Sequence, residues 1–89
     1  MKYTELQLEA LVLGGDQYLR NAMEKEALEA YSTVFVNIPW TCKDERQALL
    51  QRAYKGLCAL SVSHDEGVSE DAGQLISDYH RYLHDSNSV

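Results

Sequence analysis

His80 and His84 stand four residues apart, the spacing at which two imidazoles on one helical turn can share a metal ion, and Asp85 is close enough to be a third ligand. Zinc needs three or four converging ligands, and no second motif in the chain supplies the others. The two histidines therefore read as a surface pair, and neither a metal nor another cofactor is expected. Cys42 falls in the expected first turn of a helix, a setting that can activate a thiol. Nucleophilic catalysis also requires a placed base and a site for the developing oxyanion, and the sequence carries a signature of neither. Cys42 reads as an inert thiol and Cys58 as part of the core. No catalytic set emerges, so the expectation is a protein that is not an enzyme and has no small-molecule substrate.

Contact with another protein is the better use of the remaining side chains. Trp40 follows Pro39 in a connection between helices, where an indole either closes the core or, if exposed, anchors an interface. Tyr3 and Tyr82 fall outside the best core stripes and can join such a surface. The chain holds six tyrosines, a usage that suits protein contact more than catalysis. Lys43, Arg46, Arg52 and Lys55 lie in one expected helix with Asp44 and Glu45, giving that helix about +2 while the rest of the chain carries about −8. The partner-binding set is accordingly Trp40, Tyr3, Tyr82, Arg46, Arg52 and Lys55.

The net charge of −6 argues against direct binding to nucleic acid, because phosphate contacts need clustered Lys and Arg. A chain of 89 residues makes one domain with one core and buries only about two-thirds of its unfolded surface. Its longest apolar runs, such as Ala10 to Leu13, are far too short to span a membrane. No basic-then-apolar leader is visible, so the two cysteines read as reduced thiols in a cytoplasmic protein.

The elements that position these residues are helices. Thr4 with Gln7 has the form of a capping box, which predicts a first helix from about Glu5 to Arg20 that runs unbroken through Gly14 and Gly15. Asn21 and Ala22 form a turn, and Met23 to Val36 form a second helix with Ala27, Tyr31 and Val34 inward. The β-branched and aromatic run from Thr33 to Ile38 reads as the buried end of that helix, which Pro39 stops. Thr41 is the expected cap of a third helix, with Asp44 and Glu45 in its first turn. Two apolar stripes, one through Leu50, Ala53, Tyr54 and Leu57 and one through Leu49, Gly56 and Leu60, make it the expected central element. After a loop from His64 to Gly67, Ser69 should cap a fourth helix with Ala72, Leu75, Ile76, Tyr79 and Leu83 on one stripe, and Asp85 to Val89 should fray. The fold class is thus all-α, a four-helix array of two antiparallel hairpins over residues 5–38 and 42–84.

Leu11, Gly15, Tyr18, Ala22, Met23, Ala27, Tyr31, Val34 and Pro39 organise the first hairpin. Small residues at Gly15 and Ala27 would let two helices approach closely, with Tyr18 and Tyr31 filling the wider space beside them. The order large apolar, Gly, Tyr, small, large apolar, Ala, Tyr, apolar, Pro resembles one tetratricopeptide repeat over about a third of the chain. That resemblance implies a helix-turn-helix module presenting a groove to another protein, and no chemistry. A shift of 45 positions lays Met23, Ala27 and Tyr31 over Val68, Ala72 and Ile76, as a distorted second copy would. Helical repeats usually need about three units to bury a continuous core, so two hairpins leave an open side for a partner protein or a homodimer. The expected function is therefore an adaptor or small chaperone. The alternative is a small acidic inhibitor, of phage or immunity type, that blocks a nucleic-acid-processing enzyme by offering Glu24, Glu26, Glu29, Glu66 and Glu70 in place of phosphates.

Overall fold

The computed structural model describes residues 3–87, and within them the chain is all-helical, with no strand. Helix α1 spans Glu5–Arg20, α2 Glu24–Asn37, α3 Arg46–Leu60 and α4 Glu66–Asn87. The capping box at the start of α1 is formed: Gln7 N–H donates to Thr4 Oγ1 at 3.2 Å while Thr4 N–H donates to Gln7 Oε1 at 2.9 Å. Helix α1 passes through both glycines without a break and ends in a Schellman motif, with Met23 N–H bonded to Tyr18 O at 2.8 Å and Ala22 N–H to Leu19 O at 3.2 Å. Ala22 occupies the left-handed position of that motif with φ 59°, a conformation that costs a residue with a Cβ about 1 kcal/mol and that glycine adopts freely. The turn reverses the chain at once and lays α2 along α1.

Helix α2 stops where Pro39 forces it to, since Ile38 is held extended at φ −103°, ψ 125°. Two expected helix starts shift. Thr41 does not cap α3, because Cys42 N–H bonds back to Pro39 O at 2.9 Å and keeps this stretch in a turn. Asp44 does the capping instead, its Oδ1 accepting from Arg46 N–H at 2.8 Å, so α3 begins five residues after Thr41. Likewise Asp65, not Ser69, heads α4: its Oδ1 accepts from Val68 N–H at 3.3 Å, and Ser69 lies within the first turn with its hydroxyl on Glu66 O. At the other end α4 remains helical through Asn87, past the expected fraying point at Asp85, and residues 88 and 89 lie outside the described residues.

A single core gathers Leu8 and Val12 from α1, Tyr31, Val34 and Phe35 from α2, Leu50, Leu57 and Leu60 from α3, and Val68, Ala72 and Tyr79 from α4. Helix α3 packs on all three others as its double stripe predicts, but α2 does the same, and α1 never meets α4. The result is a slab of 41 × 28 × 18 Å, about two helices thick.

A close interhelical approach is made around Tyr31. The ring of Tyr31 lies between two glycines on different helices: a Cβ on Gly15 of α1 would sit 2.9 Å from Tyr31 Cε1, and one on Gly56 of α3 would sit 2.4 Å from the same ring. Gly56 of the second hairpin thus packs against a residue of the first. The Tyr31 hydroxyl donates to Asp16 Oδ1, and Arg52 Nη2 reaches Asp16 Oδ2 at 3.0 Å, so this carboxylate joins three helices. Burial, reinforced by the hydrogen bond to Asp16, raises the Tyr31 phenol far above its usual range. Tyr18 is not enclosed in this space and is 39% exposed, beside α2 residues Ala30 and Thr33.

Candidate functional site

Two of the expected site residues, Trp40 and Tyr82, meet where the end of α2 and the loop that follows it lie against the second half of α4. Pro39 ends the helix and swings Trp40 back, so that its indole Nε1–H donates to Phe35 O at 3.0 Å and satisfies a carbonyl of the last helical turn. Tyr79 and Tyr82, three apart on α4, meet the indole edge-on, with ring centroids 5.4 and 5.6 Å from it, and Phe35 lies beneath at 5.4 Å. The series of rings continues along α3 and α4 through Tyr54, 5.5 Å from Tyr79, to the exposed His80. Tyr79 is buried among these rings, whereas Trp40 and Tyr82 are half-buried and form a ridge at the surface.

A groove runs on each side of that ridge. One, of about 470 Å³, is bounded by Val36, Ile38, Pro39, Leu75 and Asp78; the other, of about 490 Å³, by Cys42, Lys43, Gln47 and Leu83. Trp40, Thr41 and Tyr82 belong to both. Val36 is 59% exposed on the first wall, which corrects the expectation that the whole run from Thr33 to Ile38 is buried. The signal was available in the helical period, since position 36 lies off the face shared by Ala27, Tyr31 and Val34.

The other expected site residues lie elsewhere. Tyr3 borders a separate groove between α1 and α2 with Leu11 and Tyr18. Arg46 is drawn onto Asp44, with Nη2 to Oδ2 at 3.0 Å and Nε to Oδ1 at 3.3 Å. That guanidinium, helped by the Cys42 thiol and the Arg46 backbone N–H, holds the Asp44 carboxyl well below its usual range. Arg52 is drawn onto Asp16, and Lys55 is exposed on α3. Arg46 and Arg52 thus make two separate local contacts.

Two of the residues first singled out for chemistry, His80 and Cys42, are engaged in structural contacts. His80 Nε2 shares a hydrogen bond of 2.6 Å with the Tyr54 hydroxyl. Among the described residues no three His, Cys, Asp or Glu side chains are grouped to hold a metal ion. Cys42 lies in the loop before α3, its Sγ 2.8 Å from Asp44 Oδ1, and Cys58 is half-buried where a core position was expected. No described helix is long and apolar enough to cross a membrane. Comparison with known protein families, with curated proteins and with solved structures returned no match to this chain.

Proposed function

We propose that this chain is a non-enzymatic protein-interaction module, an adaptor or small chaperone that holds a partner protein on its helical surface. The observation that carries this reading is the Trp40–Tyr82 ridge with an open groove on either side and Val36 exposed on one wall. Half-buried aromatics of this kind bring large contact area at low entropic cost, because their neighbours already fix their rotamers. The reading is supported by the order of residues from Leu11 to Pro39, which resembles a tetratricopeptide repeat. It is supported as well by the engagement of Cys42 with Asp44 and of His80 with Tyr54, contacts that need no reaction to explain them.

Trp40 is the only tryptophan, so the ridge reports on its own occupation. The test is the mass of the purified chain across a concentration series, with tryptophan emission on the same samples, followed by affinity enrichment from the source cells using wild-type and Val36→Lys chains as bait. A complex of fixed stoichiometry, with a second copy or another protein, that shifts the Trp40 emission and dissolves in Val36→Lys supports the reading. A monomer at every concentration that retains no protein at fixed stoichiometry would overturn it, and a partner retained equally by Val36→Lys would remove the ridge as its site.

A further inference from the structure

The groove between α1 and α2, on a different part of the slab from the ridge, has a chemistry of its own. Its floor is Leu11 and Ala30, the rings of Tyr3 and Tyr18 flank it, and Glu26 and Glu29 stand on the α2 wall, enclosing about 310 Å³. The described ion pairs are those of Arg46 with Asp44 and of Arg52 with Asp16, so neither groove carboxylate has a basic partner among the described residues. Among the described residues no Lys or Arg lines the groove. It continues into a second depression along α1 formed by Tyr3, Gln7, Ala10 and Leu11, which carries no charge at all. The surface is thus an apolar track with an acidic edge.

Resting on the reading of this chain as an interaction module, we infer that the α1–α2 groove receives a basic amphipathic helix of a partner protein, with its apolar side on Leu11 and Ala30 and two Lys or Arg side chains on Glu26 and Glu29. Charge complementarity chooses the sign, since an uncompensated acidic edge on a chain of net charge −6 favours cations and repels other acidic surfaces. Spacing chooses the helix. Glu26 and Glu29 are separated along α2 by about 4.5 Å of rise, which matches basic residues three apart on a partner helix, whereas same-side residues of a strand rise about 6.6 Å. Tyr3 and Tyr18 offer ring faces to the aliphatic stems and charged heads of Lys or Arg. A second copy of the chain is the poorer occupant: it carries the same net negative charge, and its Arg52 is already engaged by Asp16.

The test is selection from a displayed library of helical peptides on the immobilised full-length chain, in parallel with Glu26→Lys/Glu29→Lys and with Val36→Lys, followed by fluorescence anisotropy of the best labelled peptide. Both groove positions are exposed, and far-UV circular dichroism checks that each variant keeps its helix content. The expected result is enrichment by wild type of peptides with Leu on one side and paired Lys or Arg three or four apart. Their affinity should fall about tenfold in Glu26→Lys/Glu29→Lys, remain unchanged in Val36→Lys, and weaken with salt. Peptides that bind wild type and the double variant alike, but not Val36→Lys, would overturn the groove assignment while leaving the interaction-module reading in place. Absence of any enriched peptide, or a concentration-dependent dimer in which the groove is buried, would overturn the assignment as well.

Discussion

At the junction of α1, α2 and α3 the ring of Tyr31 fills the space left by two glycines and its hydroxyl is tied to a carboxylate, whereas near the end of α4 the rings of Tyr79 and Tyr82 meet Trp40 edge-on beside open grooves. The same residue type thus does two jobs. In the first region there is no room for one more carbon atom, and every polar atom of the ring has a fixed partner. In the second, contact is made at ring edges and part of each outer ring remains at the surface, so a partner can add to the packing without displacing anything. Tight local packing fixes how the two hairpins sit, and the looser cluster is where the proposed partner would gain binding energy.

The comparison breaks most visibly at Gly56. Gly56→Ala places a Cβ 2.4 Å from the Tyr31 ring, and its removal of stability should be about 3 kcal/mol, read from thermal or urea unfolding followed by circular dichroism. Combining it with Tyr31→Leu should cost less than the sum of the two changes; additive losses would mean that the ring and the glycine are not one unit.

Tyr31→Phe is expected to cost about 1.5 kcal/mol at neutral pH through loss of the bond to Asp16. It also isolates a pH effect. The folded state raises the Tyr31 phenol above its unfolded value of 10.0, so the stability it lends is complete below that pH and is lost as pH rises above it. The wild-type melting temperature should accordingly fall more steeply above pH 10 than that of Tyr31→Phe, and parallel curves would contradict this account.

Gly14 sharpens the contrast from one position away. A Cβ there meets nothing within 4 Å, so Gly14→Ala should raise stability by about 1 kcal/mol through helix propensity alone, while the same change at Gly15 strikes the Tyr31 ring. The smallest expected effect on stability belongs to the aromatic region. Val36→Lys, at a position 59% exposed in the last turn of α2, should change unfolding free energy by less than about 0.5 kcal/mol and yet abolish partner binding at the ridge.

Much of the helical framework was legible because it rests on local signals. The Thr4–Gln7 box, the stop at Pro39 and the inward stripe of Ala27, Tyr31 and Val34 need only neighbours in sequence to be recognised. The starts of α3 and α4 were misplaced because several residues could cap, and the choice among Thr41, Asp44, Asp65 and Ser69 depends on where the loop directs each side chain. The packing between hairpins could not be read in advance. Gly15 and Gly56 are 41 positions apart, and nothing local says that both face one ring on a third helix. At the surface, Trp40 and Tyr82 could be proposed as partner-binding residues by type, but their pairing and the separate location of Tyr3 depend on how α4 lies over the loop.

The ring held between Gly15 and Gly56 also bears on how this sequence can diverge. A larger residue at either glycine is tolerated only beside a smaller one at position 31, and a smaller residue at 31 leaves a void unless one of the glycines grows. Positions 15, 31 and 56, drawn from three helices, are therefore expected to drift together in descendants of this chain, while Val36, Glu26 and Glu29 on its open faces are free to follow whatever they bind.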